Sequence, residues 1–247
     1  MKHYQPEYFK EDIFSTDYQF LAETIYSAYR PASIIEFGCG PGHLAKEFAK
    51  LNVSVTAIDG FSDPDFKDYP GISFLKVDLD NYPQLNGILS NQKFDLAVCT
   101  EVAEHLMPSS SDHLIKTLTQ SAPVVIFSAA VPYQNGHGHI NCQNRVFWHK
   151  LFNECGFQIS DSLREHLQKN DKLAIWYKLN VMDYQINSEN DTSKIIENLV
   201  ASESYSSSLY YKTGKENAIN KAYLQYPLVR NYFKFRNFIK SLLKKND

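Results

Sequence analysis

A short polar stretch has the residue types and the spacing of a catalytic or metal-binding site. It runs from Glu101 to Leu106, reads EVAEHL, and directly follows the apolar run FDLAVCT. In a helical turn, the carboxylates of Glu101 and Glu104 and the imidazole of His105 would share one face, because they stand at positions i, i+3 and i+4. Such a group can hold a divalent cation, transfer a proton, or form only the polar rim of a loop.

The elements that must position this stretch alternate between helix-like and strand-like patterns. Apolar and aromatic residues recur at helical spacing over residues 12–30. The strand-like runs SIIEF, VSVTAID, GISFLKVDL, FDLAVCTEV and PVVIFSAAVP follow, separated by helical or irregular stretches. The later runs FQISDSL and KLAIWYKLN are predicted as two further strands at one edge. The order predicts an α/β fold with a doubly wound, mainly parallel seven-stranded sheet, whose binding crevice lies at the carboxyl ends of the strands.

Length and composition limit the classes of protein to which the chain can belong. With 247 residues, 43% of them hydrophobic, it can bury a full core as one large α/β domain or as one domain with appendages. Its formal net charge of -3 gives no overall basic field, so we expect no nucleic-acid partner. The four cysteines form no CxxC pair, and no apolar run is long enough to span a bilayer, which together indicate a reduced, cytoplasmic protein.

A glycine-rich turn follows the first predicted strand. It spans Glu36 to Gly42 as E-x-G-x-G-x-G, a pattern that lets the chain turn sharply and lets a ligand approach bare backbone. The dinucleotide pattern G-x-G-x-x-G would need glycine where this chain has His43, so a nicotinamide or flavin cofactor is disfavoured. Asp59 and Asp78 end the second and third predicted strands, where carboxylates can accept hydrogen bonds from a ribose and from the amine of an adenine.

At these residues the chain resembles the class I S-adenosylmethionine-dependent methyltransferases, over roughly residues 30–180. The resemblance implies a Rossmann-like fold, S-adenosylmethionine as cofactor and S-adenosylhomocysteine as product. Glu36 and the glycine turn would hold the methionine part. Asp59 would hold the ribose, and Asp78 with Leu79 the adenine. The expected cofactor-binding residues are Glu36, Gly38, Cys39, Gly40, Gly42, Asp59, Gly60, Asp78, Leu79 and Glu101.

A second resemblance lies in residues 131–157. The turn Gly138-His139-Ile140-Asn141 leads into a helix with Trp148. Together with the later WYKLN, it resembles a branch of bacterial small-molecule methyltransferases tied to surface-polysaccharide biosynthesis. That branch has Asn-Glu-Gln after the histidine, whereas this chain has Asn141-Cys142-Gln143, so no role of a glutamate is carried over. The resemblance implies a small polar acceptor, such as a sugar, a nucleotide-linked intermediate or a related glycan precursor.

The EVAEHL stretch resembles a cluster found in two other methyltransferase groups. Ubiquinone-biosynthesis O-methyltransferases and small-RNA 2′-O-methyltransferases carry E-x-x-E-H at this strand end, and in the small-RNA group a later histidine completes a divalent-metal site. His137 or His139 would be that histidine here. Carboxylate and imidazole ligands suit Mg²⁺, Mn²⁺ or Zn²⁺, and a bound metal would orient an acceptor hydroxyl and lower its pKa. The expected ligands are Glu101, Glu104, His105 and His139.

Without a metal, a side chain must remove the proton of an acceptor hydroxyl, since the sulfonium donor is already activated. We expect His139 to be this base, because it lies in a glycine-flanked turn that can close over a substrate. His105 and Glu101 are the other candidate catalytic residues. A purely structural role of these residues is still open at this point.

The two ends of the chain differ from its middle. We expect a helical N-terminal cap over residues 1–30, the cofactor-binding domain over 31–185, and a Ser-rich loop followed by a basic amphipathic helix over 186–247. Residues 228–247 carry six basic residues and one acid. This last helix either packs as an ordinary solvated helix, contacts a partner, or touches the inner face of the membrane.

The sequence predicts a cytoplasmic methyltransferase that uses S-adenosylmethionine and O-methylates a small polar acceptor. The alternative within enzymes is a metal-dependent O-methyltransferase of an RNA end or a phenol. The alternative from another class is a cofactor-binding scaffold subunit without transfer activity.

Overall fold

A seven-stranded sheet organises the part of the chain that the computed structural model describes, which is Tyr8, residues 15–134 and 136–186, Ser208, Tyr211 and Lys212. The strands are β1 (Ser33–Phe37), β2 (Ser54–Asp59), β3 (Ile72–Lys76), β4 (Leu96–Thr100), β5 (Val124–Ser128), β6 (Phe157–Ile159) and β7 (Met182–Ile186). The helices are α1 (Tyr18–Tyr29), α2 (His43–Lys50), α3 (Tyr82–Leu89), α4 (Ser111–Ser121), α5 (Arg145–Glu154), α6 (Arg164–Leu167) and α7 (Ile175–Asn180).

The strand order confirms the predicted doubly wound, mainly parallel sheet. It reads β3-β2-β1-β4-β5-β7-β6, with β1 to β5 parallel and β7 antiparallel to both of its neighbours. The direction of the order reverses between β1 and β4, so the loops after these two strands leave in opposite directions and open a crevice. The predicted binding edge therefore lies at the carboxyl ends of β1 and β4.

Burial on both faces of the sheet explains the composition of its central strands. In β1, β4 and β5 nearly every residue is buried, which is why these strands are mostly apolar and do not alternate, with Glu36 as the buried acid of β1. On one face, α3, α4 and α5 pack around Leu85, Leu118 and Phe152. On the other face, α1 and α2 pack through Leu21 and Phe48. Both layers hold the strand ends in fixed positions.

One predicted strand is a helix in the structure. The prediction of a strand in KLAIWYKLN is wrong, because Ile175–Asn180 forms α7 and the seventh strand is β7 directly after it. The buried residues of α7 are Tyr177 and Asn180, three positions apart, so this run turns one helical face to the core. A short apolar run without a glycine or proline boundary is compatible with either state, so its local pattern does not decide between them.

A buried acid connects the N-terminal helix to the sheet. Asp183, in β7, is 0% exposed and accepts hydrogen bonds from the hydroxyl of Tyr29 at the end of α1 and from the N–H and hydroxyl of Ser162. The first part of the predicted N-terminal helix, residues 12–14, lies outside the described residues. The same holds for the predicted Ser-rich loop and basic helix, apart from Ile186, Ser208, Tyr211 and Lys212.

Two further expectations concern the cysteines and the membrane. All four cysteines are free thiols, with Cys39 and Cys99 buried and Cys142 and Cys155 partly exposed, as expected of a protein without a disulfide framework. None of the described helices combines the length and the apolar character that crossing a membrane requires.

Candidate functional site

Two adjoining cavities lie at the carboxyl ends of the parallel strands. The smaller has a volume of about 180 Å³, and its walls include Glu36, Tyr18 and Tyr177. The larger has a volume of about 580 Å³, and its walls include Asp59, Gly60, Phe61, Leu79 and Asp80. Residues that border both cavities include Tyr8, Gly38, Gly40, Glu101, Gly136, His105 and His139. The crevice therefore brings predicted cofactor-binding residues together with predicted acceptor-side residues.

The glycine turn leaves no room for a side chain at Gly38 or Gly42. Gly38, Gly40 and Gly42 have φ angles of 74°, 52° and 78°, in the left-handed region that glycine adopts without strain. A Cβ on Gly38 would also lie 2.4 Å from a methyl carbon of Val102, in the loop after β4. The N–H of Gly38 donates to the carbonyl of Ile58 in β2 at 2.8 Å, which fixes the turn to the sheet. Bare backbone consequently faces the cavities, with the N-terminus of α2 directly behind it.

Asp59 connects this turn to the loop after β2. Its Oδ2 accepts the N–H of Gly40 at 2.9 Å, and its Oδ1 accepts the N–H groups of Phe61 and Ser62, each at 2.7 Å. A carboxylate oxygen can accept two hydrogen bonds, so Oδ2 keeps capacity for a hydroxyl group of a ligand in the larger cavity. The residue predicted to bind a ribose is therefore also a structural residue of the turn.

The end of β3 differs from the prediction in detail. Among the described residues, Leu79 and Asp80 are those from this strand end that border the larger cavity. Oδ1 of Asp78 instead accepts the N–H of Asp80 at 3.0 Å, in a local turn. Neither Asp80 nor Phe61, in the loop after β2, was predicted to border the cavity. For Asp80, the only local indication in the sequence is that it is an acid two residues after Asp78.

Glu36 is a buried acid that faces the smaller cavity. No described group donates a hydrogen bond to its Oε2. Burial, and to a smaller extent the negative charge of Asp59, raises the pKa of Glu36 to about 8. A cation in the smaller cavity would compensate this buried carboxylate and favour its ionised form.

Three of the four predicted metal ligands come together in the structure. Nε2 of His139 lies 4.0 Å from Oε1 of Glu104, and the ring centroids of His105 and His139 are 4.9 Å apart. The ligand atoms of Glu104, His105 and His139 all lie within 4.8 Å of one another. We call these three residues the EHH cluster. Its ligand types are those expected for a divalent cation.

The loop after β5 brings His139 to the EHH cluster. The N–H groups of residues 140 and 141 both donate to the carbonyl of Glu104, at 2.9 and 3.0 Å. Gly136 leaves room for the imidazole, since a Cβ there would lie 2.1 Å from Nε2 of His139. Nδ1 of His139 is 3.0 Å from the carbonyl of Gln134, and a carbonyl can only accept, so Nδ1 carries the proton. The lone pair of His139 is consequently on Nε2, the atom nearer to Glu104.

Glu104 is the deepest residue of the EHH cluster. It is 0% exposed, and no described group donates a hydrogen bond to either of its carboxylate oxygens. Burial, and to a smaller extent the negative charge of Glu101, raises the pKa of Glu104 well above its ordinary value. Burial, and to a smaller extent the electrostatic effect of His139, lowers the pKa of His105 to about 4. Burial also lowers the pKa of His139. The cluster therefore combines neutral imidazoles with a carboxylate that a proton or a cation must neutralise.

Glu101 does not belong to the EHH cluster. Its φ angle is 55°, and after it the chain enters a 3₁₀ turn over Ala103–His105, so the expected α-helical face is not formed. Its carboxylate instead accepts hydrogen bonds from Nδ2 of Asn180 at 3.2 Å and from Nε2 of Gln134 at 3.0 Å. Glu101 therefore faces the cavities from a separate, amide-lined position.

The later histidine of the cluster is His139, and His137 has a different place. His137 is exposed and borders the smaller cavity, and its ring packs against that of Tyr8 at a tilt of 34°, with ring centroids 4.8 Å apart. Several residues around the crevice were not singled out from the sequence, because no local spacing connects segments so distant in the chain. They are Tyr8, Tyr18, Gln134, Arg145, Trp176, Tyr177 and Asn180.

Comparison with known proteins agrees with this architecture. A family described as a methyltransferase domain matches residues 3–162. No curated protein sequence matches the chain. One similar solved structure is the 1,6-didemethyltoxoflavin-N1-methyltransferase of Burkholderia thailandensis with bound 1,6-didemethyltoxoflavin and S-adenosylhomocysteine. Its TM-score is 0.53 at 16% identity, over 74% of this chain and 84% of that chain. Another is DesVI of Streptomyces venezuelae, with a TM-score of 0.53 at 11% identity, over 69% of this chain and 92% of that chain. At these identities the likeness establishes the fold.

Replacing Glu104 with glutamine is predicted to stabilise the chelator-treated protein at alkaline pH. A carboxylate whose pKa is raised by folding contributes stability that is present below its unfolded pKa and lost as the pH rises through its folded pKa. Glutamine has nearly the same shape and no charge, so the Tm of Glu104→Gln should exceed that of the wild type by about 2 to 4 °C at about pH 8.5. The difference should shrink at about pH 5.5, because the raised pKa of Glu104 favours its neutral form as the pH falls.

Thermal melts followed by circular dichroism at both pH values measure this difference. Glu154→Gln is the matched control, because Glu154 lies in α5 with 55% of its side chain exposed. A Tm difference between wild type and Glu104→Gln that does not change with pH would contradict the assignment of a destabilising buried charge.

Proposed function

Because the chain belongs to the methyltransferase domain family, we propose that it transfers the methyl group of S-adenosylmethionine to a hydroxyl group of a small polar acceptor. The observation that carries this proposal is Glu36 at the start of the glycine turn, a buried acid that borders the smaller cavity and has an oxygen without a described donor. Such a carboxylate favours a cationic ligand, and the ammonium group of the methionine part is one. The cofactor, when bound, supplies a methyl group activated by its sulfonium charge.

The remaining residues of the turn and strand ends fit the other parts of this cofactor. Cys39, Gly40 and Gly42 complete a turn whose backbone can contact the methionine part. Asp59 borders the larger cavity, next to Gly60, and its Oδ2 can accept a ribose hydroxyl. At the end of β3, Leu79 supplies an apolar wall for the adenine ring, and Asp78 and Asp80 are the acids available to its amine.

The base in this proposal is His139. A hydroxyl acceptor must lose its proton during transfer, and Nε2 of His139 has a lone pair because Nδ1 donates to the carbonyl of Gln134. Burial lowers the pKa of His139, which keeps the imidazole neutral and able to accept a proton at neutral pH. His105 and Glu101 border the same cavities and would orient the acceptor beside this base. The presence of a positioned base favours oxygen as the acceptor atom.

The acceptor class rests on the resemblance of the Gly138–Asn141 turn to small-molecule methyltransferases of surface-polysaccharide biosynthesis. We therefore propose a sugar, a nucleotide-linked sugar or a related glycan precursor, and a place in polysaccharide assembly. We also propose a cytoplasmic location, which the four free cysteines support, and attachment to the inner membrane face through the basic C-terminal segment.

A second candidate function is a metal-dependent O-methyltransferase that acts on a phenol or an RNA end. Glu104 favours it, since a fully buried carboxylate without a described hydrogen-bond donor lies against two imidazoles. Carboxylate and imidazole ligands of the EHH cluster suit Mn²⁺, Mg²⁺ or Zn²⁺. The N–H of His139 at Nδ1 donates to a backbone carbonyl, an arrangement that is common for metal-binding histidines. Such a metal would bind the acceptor oxygen and lower its pKa.

Asp59→Ala is predicted to weaken the affinity for S-adenosylhomocysteine about 100-fold, because it removes a ribose acceptor and frees the N–H of Gly40. Titration calorimetry measures this affinity. Asp63→Ala is the matched control, since Asp63 lies in the same loop with 84% of its side chain exposed and pairs with Lys76. If the wild type does not bind S-adenosylhomocysteine, or if Asp59→Ala binds it equally well, the proposed cofactor is wrong.

Incubation with labelled S-adenosylmethionine and a panel of sugar, nucleotide-sugar and glycan acceptors is predicted to give a product heavier by one CH₂ group, with the methyl on oxygen. Mass spectrometry detects the product, and fragmentation locates the methyl. His139→Ala should lower the rate about 100-fold, as expected for loss of a general base, whereas His137→Ala should not. Label on nitrogen would refute the O-methylation. A cofactor-binding protein that labels no acceptor in the panel would support the alternative of a non-catalytic scaffold subunit.

Mn²⁺ is predicted to bind the chelator-treated protein at the EHH cluster if the second candidate function holds. The affinity, measured by electron paramagnetic resonance of free Mn²⁺, should fall at least about tenfold in Glu104→Gln and in His139→Ala. His149→Ala is the control, because His149 is also buried but lies in α5 and is not part of the cluster. If the wild type binds none of Mn²⁺, Mg²⁺ and Zn²⁺, the metal-dependent function is wrong, and the mechanism with His139 as a metal-free base is retained.

A further inference from the structure

Glu101 is held in a closed ring of three polar side chains. Nε2 of Gln134 donates to its Oε2 at 3.0 Å, and Nδ2 of Asn180 donates to its Oε1 at 3.2 Å. Nδ2 of Asn180 also donates to Oε1 of Gln134 at 3.0 Å. Gln134 and Asn180 are 8% and 3% exposed. The ring therefore fixes the direction of the Glu101 carboxylate with little competition from solvent.

A buried arginine sets the orientation of the two amides. Nη2 of Arg145 donates to Oδ1 of Asn180 at 3.2 Å and to the carbonyl of Leu179 at 2.8 Å. A guanidinium group can only donate, so Oδ1 of Asn180 must face Arg145 and its NH₂ group must face Glu101. Gln134, whose Oε1 accepts from Asn180, is oriented in the same sense. Every side-chain amide that contacts the Glu101 carboxylate in the described residues is thus a donor. Burial raises the pKa of Glu101, and the hydrogen bonds from these amides and the charge of Arg145 oppose that shift by stabilising the ionised form.

The backbone also directs Glu101 to the crevice. Its φ angle of 55° is unusual for a residue with a side chain and is held by hydrogen bonds from its N–H to the carbonyl and the hydroxyl of Ser128, each at 3.0 Å. Among the acids in the part of the chain that the structure describes, Glu101 alone borders both cavities. The carboxylate of Glu101 therefore lies where the smaller cavity, lined by Glu36, meets the larger cavity, lined by Asp59.

The other acids of the crevice cannot distinguish the methyl donor from its product. Glu36, Asp59 and Asp80 would contact the ammonium, the ribose and the adenine amine, which S-adenosylmethionine and S-adenosylhomocysteine share. Glu104 is fully buried and is not part of either cavity wall. The donor and the product differ in one methyl group and one positive charge at sulfur, so a discriminating residue must face that atom with an opposite charge.

We propose that Glu101 binds the cationic donor more tightly than the neutral product, an inference that rests on the proposed use of S-adenosylmethionine. Asn180, Gln134 and Arg145 are the positioning residues that hold its carboxylate toward the sulfonium. The attraction between the carboxylate and a sulfonium is strong in a poorly solvated cavity and vanishes when sulfur becomes a neutral thioether. Transfer of the methyl group thereby removes the attraction and favours release of the product.

Titration calorimetry with two probes tests this proposal without an acceptor. Sinefungin carries an ammonium-bearing carbon in place of the methylated sulfonium, and S-adenosylhomocysteine is neutral there. The wild type should bind sinefungin at least about tenfold more tightly than S-adenosylhomocysteine. Glu101→Gln should lose this preference through weaker sinefungin binding, with nearly unchanged affinity for S-adenosylhomocysteine. Asn180→Ala should reduce the preference in the same direction.

Asn170→Ala is the matched control, because its side-chain amide also donates to a carboxylate, that of Asp17 at 3.0 Å, and neither residue borders either cavity. Its preference for sinefungin should equal that of the wild type. Thermal melts identify any variant that fails to fold, and Gln134→Ala provides an independent variant of the ring. Equal affinity of the wild type for the two probes, or an unchanged preference in Glu101→Gln, would overturn the role of Glu101 while leaving the cofactor assignment intact. Failure of the wild type to bind either probe would overturn both.

Discussion

Buried carboxylates at the carboxyl edge of the sheet must each be hydrogen-bonded or neutralised, and the candidate site depends on how this constraint is met. Asp59 accepts three backbone N–H groups, and Glu101 accepts two side-chain amides. Glu36 and Glu104 keep oxygens without a described donor. Because an uncompensated buried charge costs several kcal/mol, the second pair indicates where a cation or a proton is required.

The sheet topology makes this distribution of charges possible. Antiparallel insertion of β7 beside β5 brings Asn180, the last residue of α7 and two positions before β7, to the same edge at which the parallel strands end. Arg145 at the start of α5 and Gln134 in the loop after β5 reach that edge from other directions. Donors from distant segments thus surround Glu101, whereas Glu104 lies in the 3₁₀ turn Ala103–His105 and its carboxylate has no described donor. Two acids three residues apart therefore have opposite environments, which allows them different roles.

Much of the fold could be predicted from local pattern, and the exceptions have physical reasons. The five parallel strands and the glycine turn follow from apolar runs that end in residues able to turn sharply. The run KLAIWYKLN was wrongly predicted as a strand, since a short apolar run fits a strand or a short helix equally well, and its last six residues form α7. In the site, Glu104, His105 and one later histidine were predicted together, but the choice of His139 over His137 depends on the path of a loop.

The sequence by itself determined the chemical inventory: a glycine turn after the first strand, acids at strand ends, and the carboxylate and imidazole groups of EVAEHL. These are properties of residue type and short spacing, which local stereochemistry governs. Only the tertiary structure decided which of these carboxylates accept hydrogen bonds and which have oxygens without a described donor. Glu101, with a φ angle of 55°, precedes the 3₁₀ turn that holds Glu104, and its donors come from residues 33 and 79 positions away. Hydrogen-bond donors at that distance in sequence are set by packing of the whole sheet and leave no periodic trace in the chain.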